Sequence, residues 1–236
     1  MLENIWENKD KELHLHVNKQ SHFMKYDISK SISQRSSGEK DTENHRIEEI
    51  ANELRGCCQL HEKESRVGKK DVIYFEDEQR ATEQFAKTHG LWMPMSDIFD
   101  LGVPGPSGNE NDTYISNDTI FKVNNLLNSK GIVSLLERVI LHNTIFPETF
   151  YFLIGFTGYD GRSVMPILRQ DLIKEAQPAT VVEIDTYMAA IGFTKMKALG
   201  HYTNGTYIVW DVVPRNVLKD KDGDIYVIDA EIKRLP

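Results

Sequence analysis

Cysteine is scarce in this chain: there are two, Cys57 and Cys58, side by side. Adjacent cysteines cannot clip distant segments together, so no ordinary disulfide framework is available, and reduced thiols fit an expected cytoplasmic location. An excess of positive charge is also missing. With 28 Lys and Arg against 36 Asp and Glu, the formal net charge is −8, whereas sequence-independent nucleic-acid binding needs a basic surface. No nucleic-acid partner is expected. There is no run of about eighteen apolar residues to span a bilayer, and Met1-Leu-Glu-Asn-Ile-Trp-Glu7 lacks the basic-then-apolar pattern of an export signal. No membrane partner is expected either. Cys57, Cys58 and His61, or His14 and His16, do not supply the two well-spaced ligand pairs of a closed zinc site; they read as ordinary surface or packing residues. Internal repeats and a Ser/His/Asp nucleophile arrangement are absent as well. What remains is a chain of 236 residues with 40% hydrophobic content, enough for one compact domain with an extension.

The strongest positive signal lies near the end of the chain. Asp211-Val-Val-Pro-Arg-Asn216 is followed by strand-like Ile225-Tyr-Val-Ile228 and then Asp229. An Asp, an Asn five positions on and a second Asp thirteen further along is the spacing of a kinase catalytic loop with its metal-binding Asp. The chemistry explains the spacing. Phosphoryl transfer asks for positioning and for neutralisation of charge spread over phosphate oxygens. Asp211 would orient the attacking hydroxyl and take its proton, while Asn216 and Asp229 offer hard oxygen ligands suited to Mg²⁺. Asp222-Gly223 is a hairpin signal between two short strands, which would bring Asn216 and Asp229 together. Asp220, Asp222, Gly223 and Asp224 do not form a Ca²⁺ loop, since the Gly comes too early and no Glu closes the pattern.

A nucleotide-binding half can be read upstream. Asp97–Gly102, Thr113–Ser116 and Thr119–Val123 read as three short strands, the first pair joined by Gly105-Pro-Ser-Gly108-Asn-Glu-Asn. Gly105, Ser107, Gly108 and Asn109 are the candidate phosphate-contacting residues there, because glycine lets backbone N–H groups approach phosphate oxygens. Lys122 interrupts an apolar strand end where a kinase carries its phosphate-binding lysine. A helix is expected over Ser129–Asn143, with Glu137 at the margin of its apolar stripe, and Lys122 is the natural partner for that acid. Phe150–Phe156 and Arg162–Leu168 read as paired strands leading into a hinge at Leu168-Arg-Gln170, where backbone groups of Leu168 and Gln170 would meet the adenine. A second lobe would begin with a helix at Glu183–Ile191.

The set Lys122, Glu137, Asp211, Asn216 and Asp229 resembles the protein-kinase-like superfamily. More closely, Gly108-Asn-Glu-Asn-Asp-Thr-Tyr114, Phe156-Thr-Gly-Tyr-Asp-Gly-Arg162 and Asp211–Ile232 resemble the serine/threonine/tyrosine kinase domains of polyvalent proteins from bacterial mobile elements. The resemblance covers about residues 95–236. It implies an α+β, two-lobed protein-kinase-like fold with an antiparallel-sheet upper lobe and a reduced lower lobe. It also implies ATP binding and phosphoryl transfer with the acceptor left open; with Mg²⁺ as the metal, the expected acceptor is a hydroxyl on a protein, and a small molecule is the alternative.

Departures from the kinase pattern carry their own expectations. Trp210 stands where the Arg before the catalytic Asp usually lies, so regulation by a phosphorylated activation loop is not expected. Val213 replaces the usual lysine two residues after Asp211, leaving Arg215 to supply positive charge. Asp229-Ala-Glu replaces Asp-Phe-Gly, and the chain ends soon after at Pro236. A pseudokinase serving as an interaction module is therefore the competing expectation. Residues 1–70 are expected to be a polar, largely flexible extension with a helix near His45–Leu54. Residues 71–170 would form the upper lobe with a preceding helix at Glu76–His89, anchored by Trp92 and Met93, and residues 171–236 the reduced lower lobe.

Overall fold

The polar amino-terminal region contains a long helix with a conventional buried face. In the computed structural model, which describes residues 37–64, 70–159 and 162–236, helix α1 spans Ser37–Glu64. Ile47, Ile50, Ala51 and Leu54 recur at helical spacing and are all buried. The helix thus extends well beyond the short segment expected at 45–54. Its polar residues are used as well: Glu43 is gripped by Arg46 and accepts the Leu153 N–H at 2.9 Å, and Asn143 donates to Asn44 at 2.8 Å. His14 and His16 lie outside the described residues, and among the described residues no group of three or more His, Cys, Asp or Glu is placed to hold a metal ion.

Helix α2 (Lys70–Thr88) stops at Gly90, whose φ of 68° suits the left-handed end of a helix. Leu91 and Met93 then exchange backbone hydrogen bonds with Phe156, each 2.8 Å long, and Gly155 makes room because a Cβ there would run into the Leu91 carbonyl. The segment Asp97–Gly102, expected as a strand, is mostly a 3-10 turn over Met95–Leu101. Ile98 and Leu101, three residues apart, are buried while Phe99 is exposed, which matches three residues per turn and not strand alternation.

The main sheet is antiparallel throughout and contains β1 (Val103–Pro104), β2 (Asn111–Ser116), β3 (Thr119–Asn124), β4 (Phe152–Tyr159) and β5 (Arg162–Asp171). Their order is β1-β2-β3-β5-β4, so β5 is flanked on both sides. Asn117 takes φ 53° in the tight turn between β2 and β3. Helix α3 (Ile132–Ile145) packs its apolar stripe, including Leu135, Leu136 and Val139, into a core shared with α1, α2, β4 and β5. On the other side Ile98, Leu101, Tyr114, Phe121, Val123 and Ile167 form a second cluster.

Beyond the main sheet, α4 (Val181–Ala190) starts with a capping box between Thr180 and Glu183. Two small antiparallel sheets accompany it. One joins β6 (Gln177–Pro178), β10 (Val217–Lys219) and β11 (Ile225–Val227); the other joins β7 (Thr194–Lys195), β8 (Tyr202–Thr203), β9 (Tyr207–Trp210) and β12 (Glu231–Arg234). Ile184, Met188, Tyr202, Val209, Val217, Val227 and Ile232 form their core, which the end of α3 joins through Phe146. The molecule is α+β with antiparallel sheets, as expected, and all described residues belong to one compact unit.

Candidate active site

Two backbone connections assemble the carboxyl-terminal motif. The β10–β11 hairpin pairs Val217 with Val227, and just past that pair the Ile228 N–H donates to the Asn216 carbonyl at 2.9 Å. The β12–β9 pair sets Glu231 opposite Trp210. Asn216 and Asp229 are thereby drawn to one place, with Asp211 beside them. The Asn216 side-chain nitrogen donates to the Asp211 carbonyl at 2.9 Å and to its carboxylate at 2.8 Å. With that nitrogen committed, the amide oxygen of Asn216 is the atom left for a cation. Asp211 itself sits at φ 60°, a region that Asp tolerates better than most residues. Arg215, in the middle of the Pro214–Asn216 3-10 turn, forms an ion pair with the Asp211 carboxylate at the surface.

Lys122 reaches the same place from the main sheet. It lies on β3, opposite Thr113 on one side and Leu168 on the other. Its side chain is buried, and Nζ donates to the Tyr151 hydroxyl and to the Ile228 carbonyl, each at 2.9 Å. Tyr151 donates to the same carbonyl at 2.8 Å. Burial pulls the Lys122 pKa below the usual lysine range, although Asp229 and Glu110 oppose the shift. Burial likewise pushes the Tyr151 hydroxyl well above its ordinary value, so it stays a neutral donor.

Lys122, Asp211, Asn216 and Asp229 therefore come from the sheet, the loop after β9 and the β10–β11 hairpin onto one locus. A family model for serine/threonine/tyrosine kinases found in polyvalent proteins matches residues 75–235, which include all four. The chain belongs to this kinase family. No curated protein matches the chain.

Two expectations about this kinase domain need correction. Lys122 and Glu137 do not pair. Glu137 is half exposed and forms its ion pair with Arg55 of α1. One residue on, the helix turns by about 100°, and it is Arg138 that faces inward. The second correction concerns Leu168 and Gln170. The Leu168 main chain lies between Lys122 and Leu153 in the sheet, and Gln170 pairs with Ile120 while its buried side-chain amide donates to the Thr149 carbonyl at 2.6 Å. The chain leaves the sheet only after Asp171, so a connecting segment begins later than expected.

The glycine-bearing loop is folded onto the start of β2. Gly105 N–H donates to the Thr113 carbonyl at 2.9 Å, Gly108 N–H to the Asn111 carbonyl at 3.1 Å, and Ser107 Oγ accepts the Thr113 N–H at 3.3 Å. Asn109 contributes its carbonyl to the Asn125 side chain at 2.8 Å. Gly105 and Gly108 thus direct their N–H groups to carbonyls of β2, contrary to the expectation that these groups face phosphate oxygens.

Sequence reasoning missed the ionic half of the site. Arg138 holds Glu110, at the end of the loop, and Glu231, two residues beyond Asp229. Burial pushes the Glu110 carboxyl up, but Arg138, together with the Asn124 and Asn128 hydrogen bonds, more than offsets this and leaves it below the usual range. Burial lifts Glu231, with Glu110 and Asp229 adding to the rise and Arg138 opposing it. The available signal was the position of Arg138 between Leu135 and Val139, next to the apolar stripe of α3. Among the described residues no helix is long and apolar enough to cross a membrane.

Proposed function

We propose that this kinase domain binds Mg²⁺·ATP and transfers the γ-phosphoryl group to a hydroxyl of a serine, threonine or tyrosine on a protein acceptor. The proposal includes a two-lobed arrangement, with the main sheet and its helices as the upper lobe and the residues after Asp171 as a reduced lower lobe, and a cytoplasmic setting. The observation that carries it is the convergence of Lys122, Asp211, Asn216 and Asp229 through the Lys122–Ile228 and Ile228–Asn216 contacts.

The donor set fits the cofactor. Mg²⁺ favours hard oxygen ligands and keeps several positions for water and phosphate, so one amide oxygen and one carboxylate suffice on the protein side. Bound magnesium would supply charge neutralisation at the phosphate oxygens. Lys122 has three N–H donors and spends two, on Tyr151 and Ile228, which leaves one for a phosphate oxygen. Asp211, steadied by Asn216 and Arg215, would orient the acceptor hydroxyl and accept its proton. The segment after Asp171 would contact the adenine, and Gly105–Asn109 would lie over the phosphates.

Titration calorimetry with ATP, with and without Mg²⁺, on the natural chain and on Asp229→Ala tests the reading. Metal-dependent binding lost in the variant is the expected result; no binding under any condition overturns it. Transfer of γ-phosphate to protein or to small-molecule acceptors then separates the two kinase classes.

One observation favours a second reading, a nucleotide-binding module without turnover: Glu137, the acid expected beside Lys122, is turned away to Arg55. In that case ATP binds with Mg²⁺ but the γ-phosphate stays on the nucleotide.

A further inference from the structure

Glu137 and Arg138 are neighbours on α3 with opposite surroundings. Glu137 and Arg55 form a surface pair with side-chain exposures of 53% and 33%. Arg138 is 12% exposed, and its guanidinium engages Glu231 through Nη1 and Glu110 through Nη2. Exposed pairs are screened by water and contribute little, whereas a buried planar guanidinium held by two carboxylates is geometrically specific.

Both acids are fixed at functional ends. Glu110 closes the glycine-bearing loop and is held further by Asn124 at 3.2 Å and Asn128 at 3.3 Å, while its carbonyl accepts the Asn125 N–H at 2.9 Å. Asn124 is two residues beyond Lys122, on the same face of β3. Glu231 follows Asp229 by two residues and lies opposite Trp210, the residue before Asp211. One side chain of α3 therefore ties the loop and Lys122's strand to both Asp-bearing segments.

We propose that Arg138, and not Glu137, is the positioning residue through which α3 sets the site, by holding Glu110 and Glu231 on one guanidinium. Removing Arg138 leaves two partly buried carboxylates near each other without the guanidinium that pairs with both, so the loop and β12 part together. The link itself stands on the contacts alone; its effect on turnover rests on the proposed kinase activity.

The test compares Arg138→Gln, Arg138→Lys and Glu137→Gln with the natural chain. Hydrogen exchange without nucleotide reads the link directly. Arg138→Gln is expected to raise exchange in residues 105–113 and in residues 228–234 together, Arg138→Lys to restore part of the protection, and Glu137→Gln to raise neither segment. In steady-state phosphoryl transfer, Arg138→Gln is expected to lower kcat/KM for ATP by about 10- to 100-fold, with Arg138→Lys intermediate and Glu137→Gln within about fivefold. Unchanged exchange in both segments of a folded Arg138→Gln overturns the proposal, as does a larger loss in Glu137→Gln. Should Arg138→Gln fail to fold, Glu231→Gln removes one arm alone: exchange is expected to rise in residues 228–234 and not in the loop, and a rise in neither overturns the link. If the natural chain shows no ATP binding, the kinase reading fails while the exchange result still decides the role of Arg138.

Discussion

Lys122 donates to the carbonyl oxygen of Ile228, the residue directly before Asp229, at 2.9 Å. A strand of the main sheet is thus bonded to the segment that presents the Asp229 carboxylate. Burial of the ammonium would be costly alone; the carbonyl, the Tyr151 hydroxyl and the nearby Asp229 and Glu110 charges make it tolerable.

That relationship separates binding from stability at Lys122. In Lys122→Met the proposed phosphate contact is removed while a buried charge becomes a packed apolar chain, and Tyr151 still donates to Ile228. ATP affinity measured by calorimetry should fall at least about tenfold, the loss of one charge-assisted hydrogen bond. Unfolding free energy measured in urea should stay within about 1 kcal/mol, because the two direct partners of Lys122 are a neutral hydroxyl and a carbonyl that keep each other. A large drop in stability would show that the lysine serves the fold.

Asp211 combines its proposed role with an unusual backbone at φ 60°. Asp211→Asn should lower kcat by about 10²- to 10⁴-fold through loss of the proton acceptor, with nucleotide affinity retained, since Asn tolerates the same conformation. Asp211→Ala should in addition destabilise the chain by about 1–2 kcal/mol, because Ala resists positive φ. Quench assays and thermal melts on the two variants would distinguish chemistry from strain.

His142 is buried beneath the site, accepting or donating at Thr149, and burial together with the Lys122 charge lowers its pKa to about 3. Its folded pKa is below its unfolded value near 6.5, so the neutral form is the one that folding favours. Stability from this group is present above pH 6.5 and is lost as pH falls toward 3, at up to about 1.4 kcal/mol per pH unit. Urea midpoints of the natural chain and His142→Gln across pH 7 to 4 should converge as the pH drops. Parallel curves would place the acid sensitivity elsewhere.

Glu78 of α2 accepts the N–H groups of Ile132 and Val133, both at 3.0 Å, and so caps α3 from another helix. Gly131 leaves space for it, since a Cβ there would collide with the carboxylate. Burial raises the Glu78 pKa despite the two backbone bonds. For a raised carboxyl the linked stability is complete below the unfolded pKa and is lost as pH rises through the folded one. Glu78→Gln should therefore gain on the natural chain between pH 4 and 7, whereas Glu78→Ala should lose about 1–2 kcal/mol with the cap. Chemical denaturation at the two pH values would reveal the crossover.

Local patterns made much of the fold legible. The Asp222-Gly223 turn and the helices expected at Glu76–His89, Ser129–Asn143 and Glu183–Ile191 rest on patterns that act over a few residues, and each has its counterpart in the structure. Asp97–Gly102 did not, because a short apolar segment reads equally as a strand or as a 3-10 turn until its neighbours decide which face is buried. Likewise, the polar composition of residues 37–64 hid a helix in which Ile47, Ile50, Ala51 and Leu54 fall on one buried face.

What the sequence by itself determined is the spacing of Asp211, Asn216 and Asp229 and the strand position of Lys122, since hairpin chemistry and strand alternation are local. Only the tertiary structure decided which charges meet. Glu137 and Arg138 are adjacent in sequence and about 100° apart on the helix. The rotation of α3 that sends Glu137 to Arg55 and Arg138 to Glu110 and Glu231 is set by packing against α1, α2 and the sheet. Ion-pair choice depends on that long-range packing, which no local pattern encodes.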